Sequence, residues 1–207
     1  MSREPEASSA QTVRYEVDSE GIALITIHRP EKHNALNRQV LAELDRYFWQ
    51  ARQDEDVKGI ILTGAGDKSF CAGADVQQFT ELDAYSGHRF ALYGQAVFNR
   101  VEEMPKPVVA AVNGYALGGG FELAMACHLR VAADHAVFGL PEVSLGLIPG
   151  FGGTQRLPRL IGRGLATELI LTAERISARR AFEIGLVNRF VPIEHLLDSA
   201  RELVHAI

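Results

Sequence analysis

Ala111-Val112-Asn113-Gly114-Tyr115-Ala116-Leu117-Gly118-Gly119-Gly120-Phe121-Glu122 is the run on which the reading of this chain turns. It opens in a short apolar strand, Val108–Val112, of the kind buried on both faces. It then delivers three consecutive glycines to an apolar segment of helical pattern, Phe121–Cys127. Glycines let the backbone turn sharply and leave amide N–H groups bare at a helix N-terminus, where negative charge is favoured. Glu122 follows directly. Downstream, Phe138-Gly139-Leu140-Pro141-Glu142 sets a second carboxylate after a strand-like segment. Bare amides beside two acids are suited to holding a developing oxyanion while protons move next to it.

Outward from this run, apolar strands alternate with helical patterns. Val13–Val17 and Ile22–Ile27 flank Ser19-Glu20-Gly21 and read as a hairpin. Asn37 is a candidate N-cap for a helix to about Asp54, with Val40, Leu41, Leu44, Tyr47 and Phe48 on one face. Gly59–Thr63 reads as a buried strand, followed by a glycine loop from Gly64 to Gly73. A helix over about 86–103 stops before Pro105 and Pro107. Leu129–Ala132 is a further strand. A glycine- and proline-rich loop, Gly146–Gly153, precedes helices at about Arg163–Thr172 and Ala178–Ile184, a strand at Val187–Val191 and a helical pattern from His195. The alternation predicts an α/β fold with largely parallel pairing. Residues 1–12 are expected to be a disordered leader, 13–192 the core, and 193–207 the start of a C-terminal helical region.

Composition narrows the function. The formal net charge is -5, with 47% hydrophobic residues. No basic balance exists to neutralise phosphates, so nucleic acid is not an expected partner. Arg156, Arg159 and Arg163 form a local basic cluster that is not expected to hold a polyanion larger than a small ligand's phosphates. Cys71 and Cys127 make no C-x-x-C pair or disulfide framework, which suits a reducing, cytoplasmic setting; a mature mitochondrial matrix form is also compatible. No apolar run reaches about 18 residues, so no membrane partner is expected.

The weaker motifs fall away. Gly64-Ala65-Gly66 follows a strand, but Ser69 replaces the third glycine of a dinucleotide fingerprint. Glu142-Val143-Ser144-Leu145-Gly146 lacks the first glycine of a nucleophile elbow. The seven histidines form no pattern of metal-ligand spacing, so no metal is expected.

Several motifs in order carry a resemblance. They are Arg29-Pro30 with Asn34-Ala35-Leu36, Ser69 to Asp75, Pro107 to Glu122, Phe138 to Gly146, and Ile148-Pro149-Gly150-Phe151-Gly152-Gly153-Thr154-Gln155-Arg156-Leu157. Together they span most of residues 13–192. The chain resembles the enoyl-CoA hydratase/isomerase (crotonase) superfamily. The resemblance implies a spiral of ββα units with peripheral helices, a homotrimer or homohexamer, and a coenzyme A thioester as substrate, with no separate cofactor. By motif position it assigns the oxyanion hole to the backbone N–H groups of Ala74 and Gly119. It assigns the paired acids of the hydratases to Glu122 and Glu142. Lys32, His33 and Ala35 are the implied contacts to the nucleotide part of coenzyme A. Ala72, Gly73, Asp75, Val76 and Gln77 carry the adenine pocket, and Leu117, Gly118 and Pro141 complete the substrate contacts.

Two retained glutamates favour hydration of a trans-2-enoyl-CoA. A double-bond isomerase, and a methylglutaconyl-CoA-type hydratase with RNA association, are the alternatives. Three departures stand out: Phe121 and His128 replace commoner residues, Phe151 is bulkier than the usual small residue in its loop and is expected to shorten the acyl pocket, and members of the family continue for several tens of residues beyond the position of Ile207. The C-terminal helical lid is therefore expected to be incomplete over these 207 residues.

Overall fold

The computed structural model describes residues 11–75 and 83–207; Val76 and Gln77 lie outside the described residues. Strands β1 (Val13–Val17) and β2 (Ile22–Ile27) form the antiparallel hairpin. Asn37 caps α1 (Arg38–Gln53), its Oδ1 accepting the Val40 N–H at 2.8 Å. The residues that recur at helical spacing, Val40, Leu41, Leu44, Tyr47 and Phe48, are its buried face. Gln11 and Thr12, at the edge of the expected leader, are hydrogen-bonded to this helix through Tyr47 and Glu43.

The chain then repeats one unit. β3 (Gly59–Gly64), β4 (Ser69–Cys71) and α2 (Ala84–Glu102) make the first turn. β5 (Val108–Val112), β6 (Tyr115–Leu117) and α3 (Gly119–Ala126) make the second. β7 (Leu129–Ala133) and β8 (Val137–Gly139) begin a third, continued by α4 (Gly153–Ile161) and α5 (Arg163–Thr172). In each turn the first strand joins one sheet and the second strand joins another. Among the described residues the first sheet has the order β1-β2-β3-β5-β7-β10, with β10 at Arg189–Val191. All its neighbours except β1 and β2 pair in parallel. The second sheet, β4-β6-β8-β9, is parallel up to its β9 edge (Ile176–Ser177). This is the expected spiral of ββα units. Strands β3 and β5 are buried at every residue because both faces of their sheet are covered.

Buried asparagines fix the crossings between sheets. Asn113 Nδ2 donates to the Gly64 carbonyl at 2.8 Å, and its Oδ1 accepts the Gly64 N–H at 3.2 Å. Asn34 Nδ2 donates to the Ser69 carbonyl at 2.7 Å. Each supplies hydrogen bonds that buried backbone groups would otherwise lack. After α6 (Ala178–Glu183), the closing helix α7 (Leu196–His205) packs on β3, β5 and β7. His128, which sequence alone did not explain, joins two elements: its Nδ1 accepts the Val108 N–H at 3.0 Å, and its Nε2 lies 3.0 Å from the Glu102 carbonyl oxygen. Among the described residues no helix is long and apolar enough to cross a membrane.

Candidate active site

The triplet glycines set the position of Glu122. Gly118 stands at φ 49°, ψ -127°, a conformation that L side chains rarely adopt. It turns β6 into α3. Gly120 lies so close to β4 that a β-carbon there would stand 2.0 Å from the Cys71 carbonyl oxygen. The first turn of α3 is thereby pressed onto the second sheet, and every residue of the helix is buried.

Glu122 is 1% exposed. Its Oε1 accepts two backbone N–H groups, from Phe151 at 2.8 Å and Gly153 at 2.7 Å. Burial pushes its carboxyl from the ordinary 4.5 up to about 7; the Gly153 amide opposes the rise, the Glu142 charge adds to it, and the Phe151 amide and Arg156 oppose it. Glu142 sits in a 3-10 turn, Pro141–Leu145, after β8. Burial raises its carboxyl above the usual carboxylate range. Its Oε2 is buried and has no hydrogen-bond partner among the described residues. A buried carboxylate oxygen left unpaired is costly, and such atoms mark places where a ligand or water completes the bonding.

The glycines also bring the other expected residues together. A β-carbon on Gly118 would lie 3.0 Å from Glu142 Oε1 and 3.8 Å from Pro141 Cδ. One on Gly73, at φ 100°, would lie 3.1 Å from the Leu117 carbonyl oxygen and 3.8 Å from the Gly119 nitrogen. The Leu36 amide donates to the Gly73 carbonyl, and the Asp75 amide donates to the Leu36 carbonyl, both at 2.8 Å. This bridge leaves the intervening Ala74 amide on the other side of the strand. Among the described residues, neither the Ala74 nor the Gly119 nitrogen donates to a backbone acceptor. Gly119 is the first residue of α3, where the macrodipole adds to its hydrogen-bonding power.

The expected nucleotide contacts lie in the loop that precedes α1. His33 and Lys32 are exposed, and Ala35 is half-buried. The Ala72 amide donates to the His33 carbonyl at 3.0 Å, which ties their loop to the segment before Ala74. Asp75 is ion-paired with Arg29 at 3.2 Å, both largely buried. Burial pushes the thiols of Cys71 and Cys127 up to about 12, so neither is a ready thiolate. Among the described residues no group of three or more His, Cys, Asp or Glu side chains could hold a metal ion.

One sequence expectation is corrected. Arg156 does not join Arg159 and Arg163 in a local basic cluster. Those two are exposed, whereas Arg156 is 6% exposed. Its Nε donates to Glu102 at 2.8 Å, Nη1 to the Phe151 carbonyl at 2.8 Å and Nη2 to Asn99 at 2.7 Å. The sequence reading also missed the amides of Phe151 and Gly153, although it had singled out their loop. Backbone donors leave no residue-type signature. The Phe151 ring fills the gap between α2 and α3, with ring centroids 5.6 Å from Phe90 and 5.3 Å from Phe98.

A twin-sheet spiral that brings a buried and a half-buried carboxyl to the Gly118–Gly120 turn defines a known class of α/β protein. The family model for enoyl-CoA hydratase/isomerase matches residues 18–207, and the chain belongs to that family. It is 50% identical over 192 residues to a short-chain-enoyl-CoA hydratase of Clostridium acetobutylicum, covering 92% of this chain and 74% of that protein. It is 50% identical over 188 residues to a crotonyl-CoA hydratase of Syntrophomonas wolfei, covering 91% and 72%. The crystal structure of an enoyl-CoA hydratase from Bacillus anthracis superimposes with a TM-score of 0.91 at 42% identity, covering 95% of this chain and 76% of that one.

Proposed function

We propose that this protein is a hydro-lyase that adds water across the 2,3 double bond of a short trans-2-enoyl-CoA, giving the 3-hydroxyacyl-CoA. The observation that carries the reading is the pair of carboxyls, Glu122 buried and Glu142 half-buried, each with its proton affinity raised by burial and the Glu142 charge acting on Glu122. Two relatives at 50% identity named for this reaction support it.

In this mechanism the thioester oxygen accepts the Ala74 and Gly119 amides. Negative charge that builds on that oxygen is held by donors already in place, and one such donor is typically worth about 10²–10³ in rate. Ionised Glu122, through the oxygen not engaged by the loop amides, takes a proton from water as that water attacks C3. The electron pair of the double bond moves towards the thioester. Protonated Glu142 delivers a proton to C2, the thioester carbonyl re-forms, and a proton passes from Glu122 back to Glu142 through water to reset both acids. Coenzyme A enters as part of the substrate, and no other cofactor takes part. Assembly as a trimer or hexamer belongs to the same reading, and sedimentation of the purified chain tests it.

Loss of the enoyl thioester absorbance with crotonyl-CoA measures the reaction. Glu122→Gln and Glu142→Gln are each expected to lower kcat by about 10²–10⁴-fold. Near-normal turnover in both would reject the mechanism. Formation of a 3-enoyl-CoA in place of the 3-hydroxyacyl product would favour the isomerase instead.

A further inference from the structure

The loop that grips Glu122 is itself gripped. The backbone of Phe151 is engaged at both ends: its N–H donates to Glu122 Oε1 at 2.8 Å, and its carbonyl accepts Arg156 Nη1 at 2.8 Å. The other two edges of the guanidinium reach Asn99 and Glu102 in the last turn of α2. The Phe151 side chain rests on the same helix through Phe90 and Phe98. Next to it, Gly152 stands at φ 103°, and a β-carbon there would lie 2.4 Å from Arg156 Nη1. The loop backbone is thus shaped to admit the guanidinium.

A charge this deeply buried is an expensive choice for mere packing. Removing an ion from water costs several kcal/mol, and an apolar side chain of similar volume fills such space at least as well. What an apolar chain cannot do is fix a carbonyl. Arginine presents donors in a planar fork of set geometry, so three hydrogen bonds in three directions define where the Phe151 peptide sits. That peptide, with Gly153, decides which oxygen of Glu122 is occupied and which is free.

We propose that Arg156 is a positioning residue for Glu122: by holding the Phe151 carbonyl against α2, it keeps the Phe151 and Gly153 amides converged on one carboxylate oxygen and leaves the other turned to the substrate. The proposal rests on the role given to Glu122 above. Arg156 touches neither substrate nor reacting atoms in this scheme. Its positive charge also favours ionised Glu122.

The test uses the full chain with Arg156→Gln and Arg156→Lys, circular dichroism and the thermal midpoint reporting the folded fraction. Misplacing a catalytic group by about 1 Å costs on the order of 100-fold, so kcat of Arg156→Gln on crotonyl-CoA is expected to fall about 10- to 100-fold. KM should change far less. The bend near pH 7 in the kcat/KM profile should move to higher pH in the glutamine variant, because a charge that favours the carboxylate has gone. The lysine variant keeps the charge but not the fork; its bend should stay in place while part of kcat returns. Unchanged kcat and an unmoved bend in folded Arg156→Gln overturn the proposal. So does a loss carried by KM alone, or by the folded fraction alone. Should neither variant fold, Glu102→Ala removes one holder of the guanidinium from a half-exposed site. It is expected to lower kcat several-fold at constant KM, and unchanged kcat there overturns the proposal equally. Glu122→Gln is assayed alongside. If it keeps wild-type turnover, the role of Glu122 falls and the positioning claim with it; if it is inactive while Arg156→Gln turns over normally, only the positioning claim falls.

Discussion

Gly118 and Glu142 meet where a side chain is missing: a β-carbon on Gly118 would stand 3.0 Å from Glu142 Oε1. Gly118→Ala therefore carries two effects, a strained backbone and a displaced carboxylate. Gly185, at φ 77° with open space around its α-carbon, carries only the first. Alanine at either position is expected to cost roughly 1–3 kcal/mol of stability. Only Gly118→Ala should lower kcat on crotonyl-CoA, by tenfold or more on the scale of about 10² for a misplaced catalytic group. Equal activity in the two variants, at equal folded fraction, would separate Glu142 from the chemistry.

The pH dependence follows from the two carboxyls. Activity requires Glu122 ionised and Glu142 protonated. Acid protonates both carboxyls and alkali ionises both, so kcat/KM should be bell-shaped. One bend should lie near pH 7, where Glu122 is raised to about 7. Because the acids repel, the two bends belong to the pair. A flat profile from about pH 5 to 9 would contradict the assignment of both roles.

Stability should move against activity. Glu122 is raised from 4.5 to about 7 in the folded state. Below pH 4.5 the carboxyl is protonated in both states, and the full stability is present. As pH rises towards 7, the unfolded chain releases the proton that the folded chain still holds, so stability falls. Above about 7 the ionised group costs on the order of 3 kcal/mol. Glu122→Gln should consequently raise the thermal midpoint at pH 8 by about 5 °C or more, with little gain near pH 5. Calorimetry at the two pH values reads the difference, and an equal gain at both would refute the cause.

Phe151 should set both packing and acyl length. Its ring lies between Phe90 and Phe98, and a β-carbon on Gly119 would meet it at 3.1 Å. Phe151→Ala is expected to cost about 3–5 kcal/mol as a cavity. The same cavity opens beside the Gly119 amide. The ratio of kcat/KM for a C6 over a C4 enoyl-CoA should rise by about tenfold or more, as added methylenes find room. An unchanged ratio would place the acyl chain elsewhere.

The sequence disclosed elements in proportion to their length. The apolar stripe of α1, its Asn37 cap and the buried runs of β3 and β5 carry periodicity, and the structure has them within a residue or two. β4, β6 and β9 were passed over, since two or three residues contain no period. They are strands because neighbouring turns of the spiral pair with them. Helix α4 has no counterpart in the sequence reading, whose loop ends at Gly153 and whose next helix begins at Arg163; Gly153 and Pro158 are weak helix formers. Pro158 lies past the first turn, yet the burial of Arg156 and Leu157 holds the helix together. In the site, Glu122 and Glu142 were visible through their glycine and proline neighbours. Grouping Arg156 with Arg159 and Arg163 by sequence misses its burial, because residue type carries no record of burial.

Helix α7 also ties together segments far apart in the sequence. Arg201 on α7 is ion-paired with Asp18 in the β1–β2 turn, across a sequence separation of 183 residues, and His205 meets Glu20 beside it. α7 has its docking surface only once β3, β5 and β7 lie side by side. Closing so long a loop carries an entropic cost that local contacts cannot offset early. The seating of α7 should therefore be a slow and late step in the assembly of this fold.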